Sequence, residues 1–173
     1  LMSLRGNPFL YYGEELGLTQ VQIPFEELQD PEAIANWPLT LSRDGARTPM
    51  AWEADAPNLG FSTARPWLRT GADHAALAVD RQEADPHSLL HLTRRLVALR
   101  RAEPALRLGR MERIEAAGDL LTFERWHDNR CIRLAFNFGS KPLRIALDGQ
   151  VIAAVNGATE TDLPAFGAVA VEG

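Results

Sequence analysis

Gly6-Asn7-Pro8-Phe9-Leu10-Tyr11-Tyr12-Gly13-Glu14-Glu15-Leu16-Gly17 contains an apolar and aromatic run, residues 8–12, bounded by glycines. By length and punctuation this run reads as a buried strand, not a helix. Its continuous apolar character implies cover on both faces, as in a parallel sheet. A lone parallel strand cannot exist, so its neighbours are expected outside this chain. Leu1-Met2-Ser3-Leu4 supports that expectation, because it reads like the end of an apolar helix and the first residue is not methionine.

Downstream, residues 19–86 are rich in proline, aspartate and tryptophan and keep no steady period. An ordered long loop is expected, since Trp37, Trp52, Phe61 and Trp67 argue against disorder. Residues 24–37 have room for a helical turn or two, with Phe25, Leu28 and Ile34 as the apolar face. Asp44-Gly45 marks a tight turn and Arg47-Thr48-Pro49 an extended exit. A helix is expected from Asp85-Pro86, with Asp85 as its cap. Its apolar stripe would be Leu89, Leu92, Leu96 and Leu99, and Arg94, Arg95, Arg100 and Arg101 would complement the dipole near its end.

Beyond Glu103-Pro104 the hydrophobic period drops to two. Strands are predicted over residues 120–126, 131–138, 143–147, 151–155 and 168–171. Gly118, Asp128-Asn129, Gly139, Gly149 and Gly157 separate them. Short strands at this spacing predict an antiparallel β-sandwich. Two domains follow, residues 1–102 and 103–173.

The 173 residues carry 18 Lys+Arg and 23 Asp+Glu, a net charge of −5. That mild acidity argues against a nucleic-acid surface, which needs clustered Lys and Arg. No window approaches the ~20 apolar residues of a membrane span, and no secretory signal is visible. Cys131 is the single cysteine. It allows no internal disulfide, supplies no metal cluster, and fits a reducing, cytoplasmic setting. In its strand pattern it reads as a small buried hydrophobe. No metal and no cofactor are expected.

Glu14-Glu15 invites a paired-carboxylate reading, but neighbours on extended backbone point to opposite faces. A structural role, accepting backbone donors at the end of the run, is expected instead. His87 and His91 are four apart on the expected helix, yet Ser88 stands where a metalloprotease places glutamate. They read as a surface pair. Arg43-Asp44-Gly45-Ala46-Arg47-Thr48-Pro49-Met50 is the most informative loop segment. Arginine offers a rigid donor fork suited to hydroxyls or a carboxylate. The alternative is a surface ion pair with Asp44 or with Glu26-Glu27.

Residues 6–17 resemble the eighth barrel strand of the α-amylase family of glycoside hydrolases. Arg43-Asp44-Gly45-Ala46-Arg47-Thr48-Pro49-Met50-Ala51-Trp52 resembles a loop motif of its α-glucosidase and oligo-1,6-glucosidase branch. Gly60-Phe61-Ser62, Pro66-Trp67-Leu68, residues 88–101 and Asn137-Phe138 fit the stretches that follow, so the resemblance covers essentially the whole chain in order. Tyr12 stands where many members have glutamine.

The resemblance implies an α/β part followed by an all-β part. The first is the last strand, loop and helices of a (β/α)8 TIM barrel, and the second an antiparallel β-sandwich C-terminal domain. Such barrels place their sites on loops at the C-terminal face of the strands. It implies a retaining α-glucosidase that hydrolyses terminal α-glucosidic bonds of short oligosaccharides through a covalent glucosyl-enzyme. The family's nucleophile, acid/base and second aspartate follow strands four, five and seven, none of which is in this chain. No catalytic residue is therefore assigned here, and the partners expected are an α-glucoside and the missing N-terminal part of the barrel. Arg43 matches the arginine that binds the terminal glucose, and Glu32 would line the outer subsite of the leaving sugar. Arg47 and Asp44 would brace the loop.

Three other readings remain open. One is a transglycosylase of the same family, trehalose- or isomaltulose-forming, in which water access decides the outcome. The second is a non-catalytic carbohydrate-binding module built on the sandwich, which would need exposed aromatic platforms. The last is a catalytically silent family member that serves as a protein partner.

Overall fold

The computed structural model describes residues 1–40 and 42–173. The chain forms two compact units, one of Leu1–Pro8 with Arg95–Gly173 and the other of Phe9–Arg94. They are termed the sheet unit and the loop unit. No described helix is long and apolar enough to cross a membrane.

The sheet unit is built on one antiparallel sheet. Its strands are β1 (Arg110–Ala117), β2 (Leu120–His127), β3 (Arg130–Asn137), β5 (Gln150–Val155) and β7 (Ala168–Glu172), in the order β1-β2-β3-β7-β5. A second sheet pairs β4 (Leu143–Arg144) with β6 (Asp162–Leu163). The period-two pattern divides the faces. Phe123, Ile132, Leu134 and Ala170 pack with Ala105 and Leu106 of helix α4 (Pro104–Leu108) on one side. Ala135, Val169 and Val171 pack with Leu163 of β6 and Leu143 of β4 on the other. Phe123 faces Leu134, and Leu134 faces Ala170, across successive ladders. A one-residue slip would turn every one of these side chains to the wrong face.

Strand β1 is absent from the sequence expectation. Arg110-Met111-Glu112-Arg113-Ile114-Glu115 has no alternation, and nearly all of β1 is exposed. It is an edge strand, where charge is tolerated and discourages pairing with other chains. Its register shifts between Glu112 and Glu115, beside Arg113 at φ 49°.

Glu103 caps α4 by accepting from the Ala105 amide (3.3 Å) and also binds the Arg130 guanidinium through Nε at 2.8 Å. Burial pushes the Glu103 carboxyl up, but Arg130 and the Ala105 amide outweigh it, so the net shift is down. A carboxyl lowered on folding stabilises above the unfolded value, ~4.3. That contribution is lost as pH falls through the folded value. Glu103→Ala should cost about 1–2 kcal/mol at pH 7, the scale of a lost cap, and the difference should be smaller at pH 3. Urea unfolding at the two pH values measures it.

The loop unit contains little regular structure. Helix α1 (Pro31–Asn36) is capped by Asp30, whose carboxylate accepts from the Glu32 amide. Helix α2 (Val79–Ala84) follows, and helix α3 (Leu89–Ala102) starts in this unit. Ile23, Leu28, Ala33 and Leu68 form the small core. Phe25 and Ile34, expected on the apolar face, are exposed. Helix α3 starts at Leu89, later than expected, with the Ser88 hydroxyl accepting from the His91 amide at 3.3 Å. Leu90 is buried and Leu89 exposed, so Leu90 replaces Leu89 at the start of the stripe, while Leu99 packs against the core as expected.

No strand forms over residues 9–12. The aromatic run lacks a ladder partner among the described residues, and Phe9 is 84% exposed. The absence of a ladder agrees with the expectation that the neighbours of this run lie outside these residues, because a parallel strand exists only through its neighbours' hydrogen bonds. The run ends in a 3-10 turn, Glu14–Leu16, where Glu14 accepts from the Tyr11 amide (3.1 Å) as a structural group.

Candidate functional site

The arginine loop forms one 3-10 turn, Arg43–Ala46, capped by the Ser42 hydroxyl accepting from the Asp44 amide. Gly45 is required there: its carbonyl accepts from Val21 N, and a Cβ would lie 2.3 Å from the Val21 carbonyl. Asp44 is fully buried. One of its oxygens, Oδ2, accepts from the amides of Gln29 (2.7 Å) and Asp30 (2.8 Å). The other, Oδ1, has no hydrogen-bond donor among the described residues and lies 3.9 Å from Nη1 of Arg47.

Arg43 forks onto Asp30, with Nε donating to Oδ2 at 2.7 Å and Nη2 to Oδ1 at 2.5 Å. This bidentate geometry is the strong form of the ion pair. The Arg43 guanidinium holds the Asp30 carboxyl well below the usual carboxylate range. Asp30, then Glu32 and Asp44, hold Arg43 above its usual range. Arg43 and Glu32 thus share one electrostatic neighbourhood, with 61% of the Arg43 side chain exposed. Glu32 itself accepts from the side chains of Asn36 (3.2 Å) and Thr40 (3.3 Å).

Arg47 takes a different position. It lines an open hollow of about 620 Å3 with Tyr11, Tyr12, Trp52, Phe61 and Trp67. The Tyr12 hydroxyl donates to the Thr48 carbonyl at 3.0 Å, tying the aromatic run to the arginine loop. Burial and then the adjacent Tyr11 push the Tyr12 phenol up, and Arg47 opposes them. An arginine fork among aromatic faces can hold a polyhydroxylated ring, with hydroxyls on the donors and C–H faces on the rings. Sequence reasoning assigned Arg47 to bracing. The loop spacing leaves open which of two arginines four residues apart meets the aromatics.

Two further groups escaped the sequence reading because nothing local marks them. His74 is buried, accepts from the Gly71 amide through Nδ1 (3.2 Å), and has Nε2 3.0 Å from the Thr19 carbonyl. Gln82 donates to the carbonyls of Leu16 and Leu77 and accepts from the Leu90 amide. They hold the loop unit's backbone together from within. His87 and His91 form no common site. The His91 ring approaches the Glu83 carbonyl at 3.2 Å, and the His87 amide donates to Asp85. Cys131 is buried, and burial pushes its thiol up.

Residues 1–109 match the family described as alpha amylase, catalytic domain. A probable alpha-glucosidase of Rhizobium meliloti (strain 1021) is 48% identical over 141 residues, covering 82% of this chain and 25% of that protein. The glucan 1,6-alpha-glucosidase of Streptococcus pneumoniae is 28% identical over 170 residues, covering 87% of this chain and 31% of that protein. Among solved structures, the alpha-glucosyl transfer enzyme XgtA superposes with TM-score 0.88 and 40% identity, covering all of this chain and 34% of its own. The trehalulose synthase MutB of Pseudomonas mesoacidophila MX-45 gives TM-score 0.85 at 25% identity over 99% of this chain and 36% of its own. The chain therefore spans about a quarter to a third of the length of the relatives it matches. Its fold is the end of a barrel domain followed by an antiparallel β domain, as in these neighbours.

Proposed function

Because this chain belongs to the alpha-amylase family, we propose that it supplies the substrate-pocket wall and C-terminal β domain of a retaining α-glucosidase acting on the ends of short α-glucosides. In that reading residues 1–102 close the barrel and residues 103–173 support it. The supporting observation is the arginine loop, clamped through Tyr12 and Thr48 into an aromatic hollow that Arg47 lines. The 48% identity to a probable alpha-glucosidase points the same way.

Retaining hydrolysis needs two carboxyl groups about 5–5.5 Å apart, one as nucleophile and one as acid and then base. Glu14 is committed to the Tyr11 amide. The family's catalytic carboxylates follow strands outside these residues, so the 173 residues alone are expected to hydrolyse no α-glucoside. Arg43 is assigned to the terminal sugar: its fork on Asp30 uses Nε and Nη2, leaving Nη1 for a sugar hydroxyl. Glu32, on the first turn of α1, is assigned to the leaving sugar. The protein is placed in the cytoplasm, in keeping with one buried, unpaired cysteine.

The test is the first-formed product of the polypeptide that carries this chain, followed by proton NMR on an α-glucoside. Release of the α-anomer is expected, and β-glucose as first product would overturn the reading. Arg43→Ala should lower kcat/KM by on the order of tenfold to a hundredfold, the loss of one charge-assisted hydrogen bond. An unchanged kcat/KM would remove Arg43 from the pocket. A second reading, glucosyl transfer, is favoured by the 40% identity and the superposition of this chain on 34% of XgtA. The covalent intermediate is common to both, so the ratio of free glucose to transfer product decides between them.

A further inference from the structure

Asn156-Gly157 follows β5 directly. The Ala158 amide donates to the Val155 carbonyl at 3.2 Å, and Asn156 and Gly157 sit at φ 55° and 72°, as a type I′ turn requires. We propose that Asn156 is a site of spontaneous covalent modification, at which its amide closes onto Gly157 and reopens as aspartate or isoaspartate, and that the change releases the neighbouring turn carrying Phe166.

The step needs only water. The Gly157 nitrogen attacks Cγ of Asn156, and the bond from Cγ to Nδ2 breaks. The proton of the Gly157 amide departs with that nitrogen as ammonia, leaving a five-membered cyclic imide. Water then adds to one of the two imide carbonyls. Opening on one side restores the ordinary chain with an aspartate, and opening on the other routes the chain through Cγ as isoaspartate. No electrons are transferred.

The structure singles out this position. Of the six asparagines, Asn156 alone precedes glycine. Asp44-Gly45 and Asp148-Gly149 can close the same ring by sequence, but both glycines are crowded. A Cβ at Gly45 would collide with the Val21 carbonyl and one at Gly149 with the Glu172 carbonyl, whereas at Gly157 it would meet nothing within 4 Å. Asn156 and Gly157 are both exposed to water. The Gly157 amide donates to no acceptor among the described residues, so its proton is free to leave.

Asn156 also braces the fold. Its Nδ2 donates to the Phe166 carbonyl at 2.9 Å. Phe166 sits at φ 54°, a left-handed conformation that a bulky side chain keeps only where its surroundings hold it. Besides Asn156, it is held by its own amide on the Gly139 carbonyl (3.1 Å) and by the Gly167 amide on the Pro164 carbonyl (2.9 Å). Ala168 then opens β7, opposite Phe136 of β3 and Val155 of β5. Conversion removes the Nδ2 donor and sets a carboxylate oxygen against a carbonyl oxygen. The Nδ2 bond must break before Cγ can reach Gly157, so the folded turn slows the reaction relative to the unfolded chain without preventing it.

Peptide mapping by mass spectrometry of protein aged in mildly alkaline buffer tests the inference. The peptide carrying Asn156 should gain about 1 Da, the exchange of an amide for an acid. Its conversion should run about tenfold faster than at any other asparagine, since only glycine leaves the attacking nitrogen unshielded. The rate should fall in mildly acidic buffer, where the amide nitrogen keeps its proton. Asn156→Gln, whose longer side chain closes a ring far more slowly, should gain no mass at this site. Hydrogen exchange of the Phe166 and Gly167 amides should accelerate by about tenfold in the aged protein and in Asn156→Asp, which presents the carboxylate without the reaction. Conversion confined to denatured protein, or equally fast at other asparagines, would overturn the modification site. Unchanged exchange at Phe166 and Gly167 in both samples would overturn its effect on the turn. Neither outcome touches the α-glucosidase reading, which fails separately through the anomer of the first product.

Discussion

Arg125→Ala should destabilise the sheet unit by about 3–5 kcal/mol, the scale of a buried large-to-small truncation that also strands two hydrogen-bonded carbonyls. Arg125 is fully buried on β2, in the same row as Leu121 and Phe123 on the face toward α4. Its Nη1 donates to the Ser3 carbonyl at 2.5 Å and its Nη2 to the Gly109 carbonyl at 3.0 Å, while Nε has no partner among the described residues. Burial, then the neighbouring Arg100 and Arg5 charges, push the guanidinium below its usual range. Arg100 is buried as well and donates to the carbonyls of Met2, Leu4 and Gly6. Two guanidiniums thus grip the first residues of the sheet unit through backbone carbonyls rather than carboxylates.

Truncation to alanine leaves a cavity and strands the Ser3 and Gly109 carbonyls without donors. Arg125→Met keeps most of the volume and removes the uncompensated charge, so it should recover part of the loss. Hydrogen exchange at Ile132 and Leu134 reports the sheet unit without assuming that both units unfold together. Protection unchanged in Arg125→Ala would show that the guanidinium contributes nothing to stability.

Asp44→Ala should lower the stability of the loop unit by roughly 3 kcal/mol, since two hydrogen bonds to a buried charged acceptor are lost. The amides of Gln29 and Asp30 then have no acceptor. Asp30 is the residue onto which Arg43 forks, so the arginine loop and the start of α1 should loosen together. Exchange of the Gln29 and Asp30 amides should accelerate by on the order of a hundredfold, the same free energy discounted for local opening. Asp44→Asn retains an acceptor oxygen and should cost less. Equal exchange in wild type and Asp44→Ala would mean that this carboxylate does not hold the loop.

Much of the sheet unit was legible in the sequence. Strands β2, β3, β5 and β7 fall on the expected runs, and Gly118, Asp128 and Gly157 occupy positive φ at turns placed by composition. Strand β1 was not legible, because an edge strand needs no buried alternate face. The predicted strand at residues 143–147 is a ladder of two residues, continued by the Ile145 and Leu147 amides donating to Thr161 and Glu160.

The arginines show where reading ends. Arg43, Arg47, Arg100 and Arg125 are the same residue type, and the sequence reading assigned Arg43 to a sugar, Arg47 to a bracing role and Arg100 to the end of a helix, with no role for Arg125. The fold places Arg43 on Asp30, Arg47 among aromatics, and Arg100 and Arg125 on carbonyls nearly a hundred or more residues away in the chain. By itself the sequence determined the family motifs, the turns and the alternating strands, because these need only neighbours along the chain. The tertiary structure decided which arginine meets which acceptor and that residues 9–12 form no strand here. Those outcomes depend on hydrogen-bond partners and burial, which are properties of residues brought together from far apart.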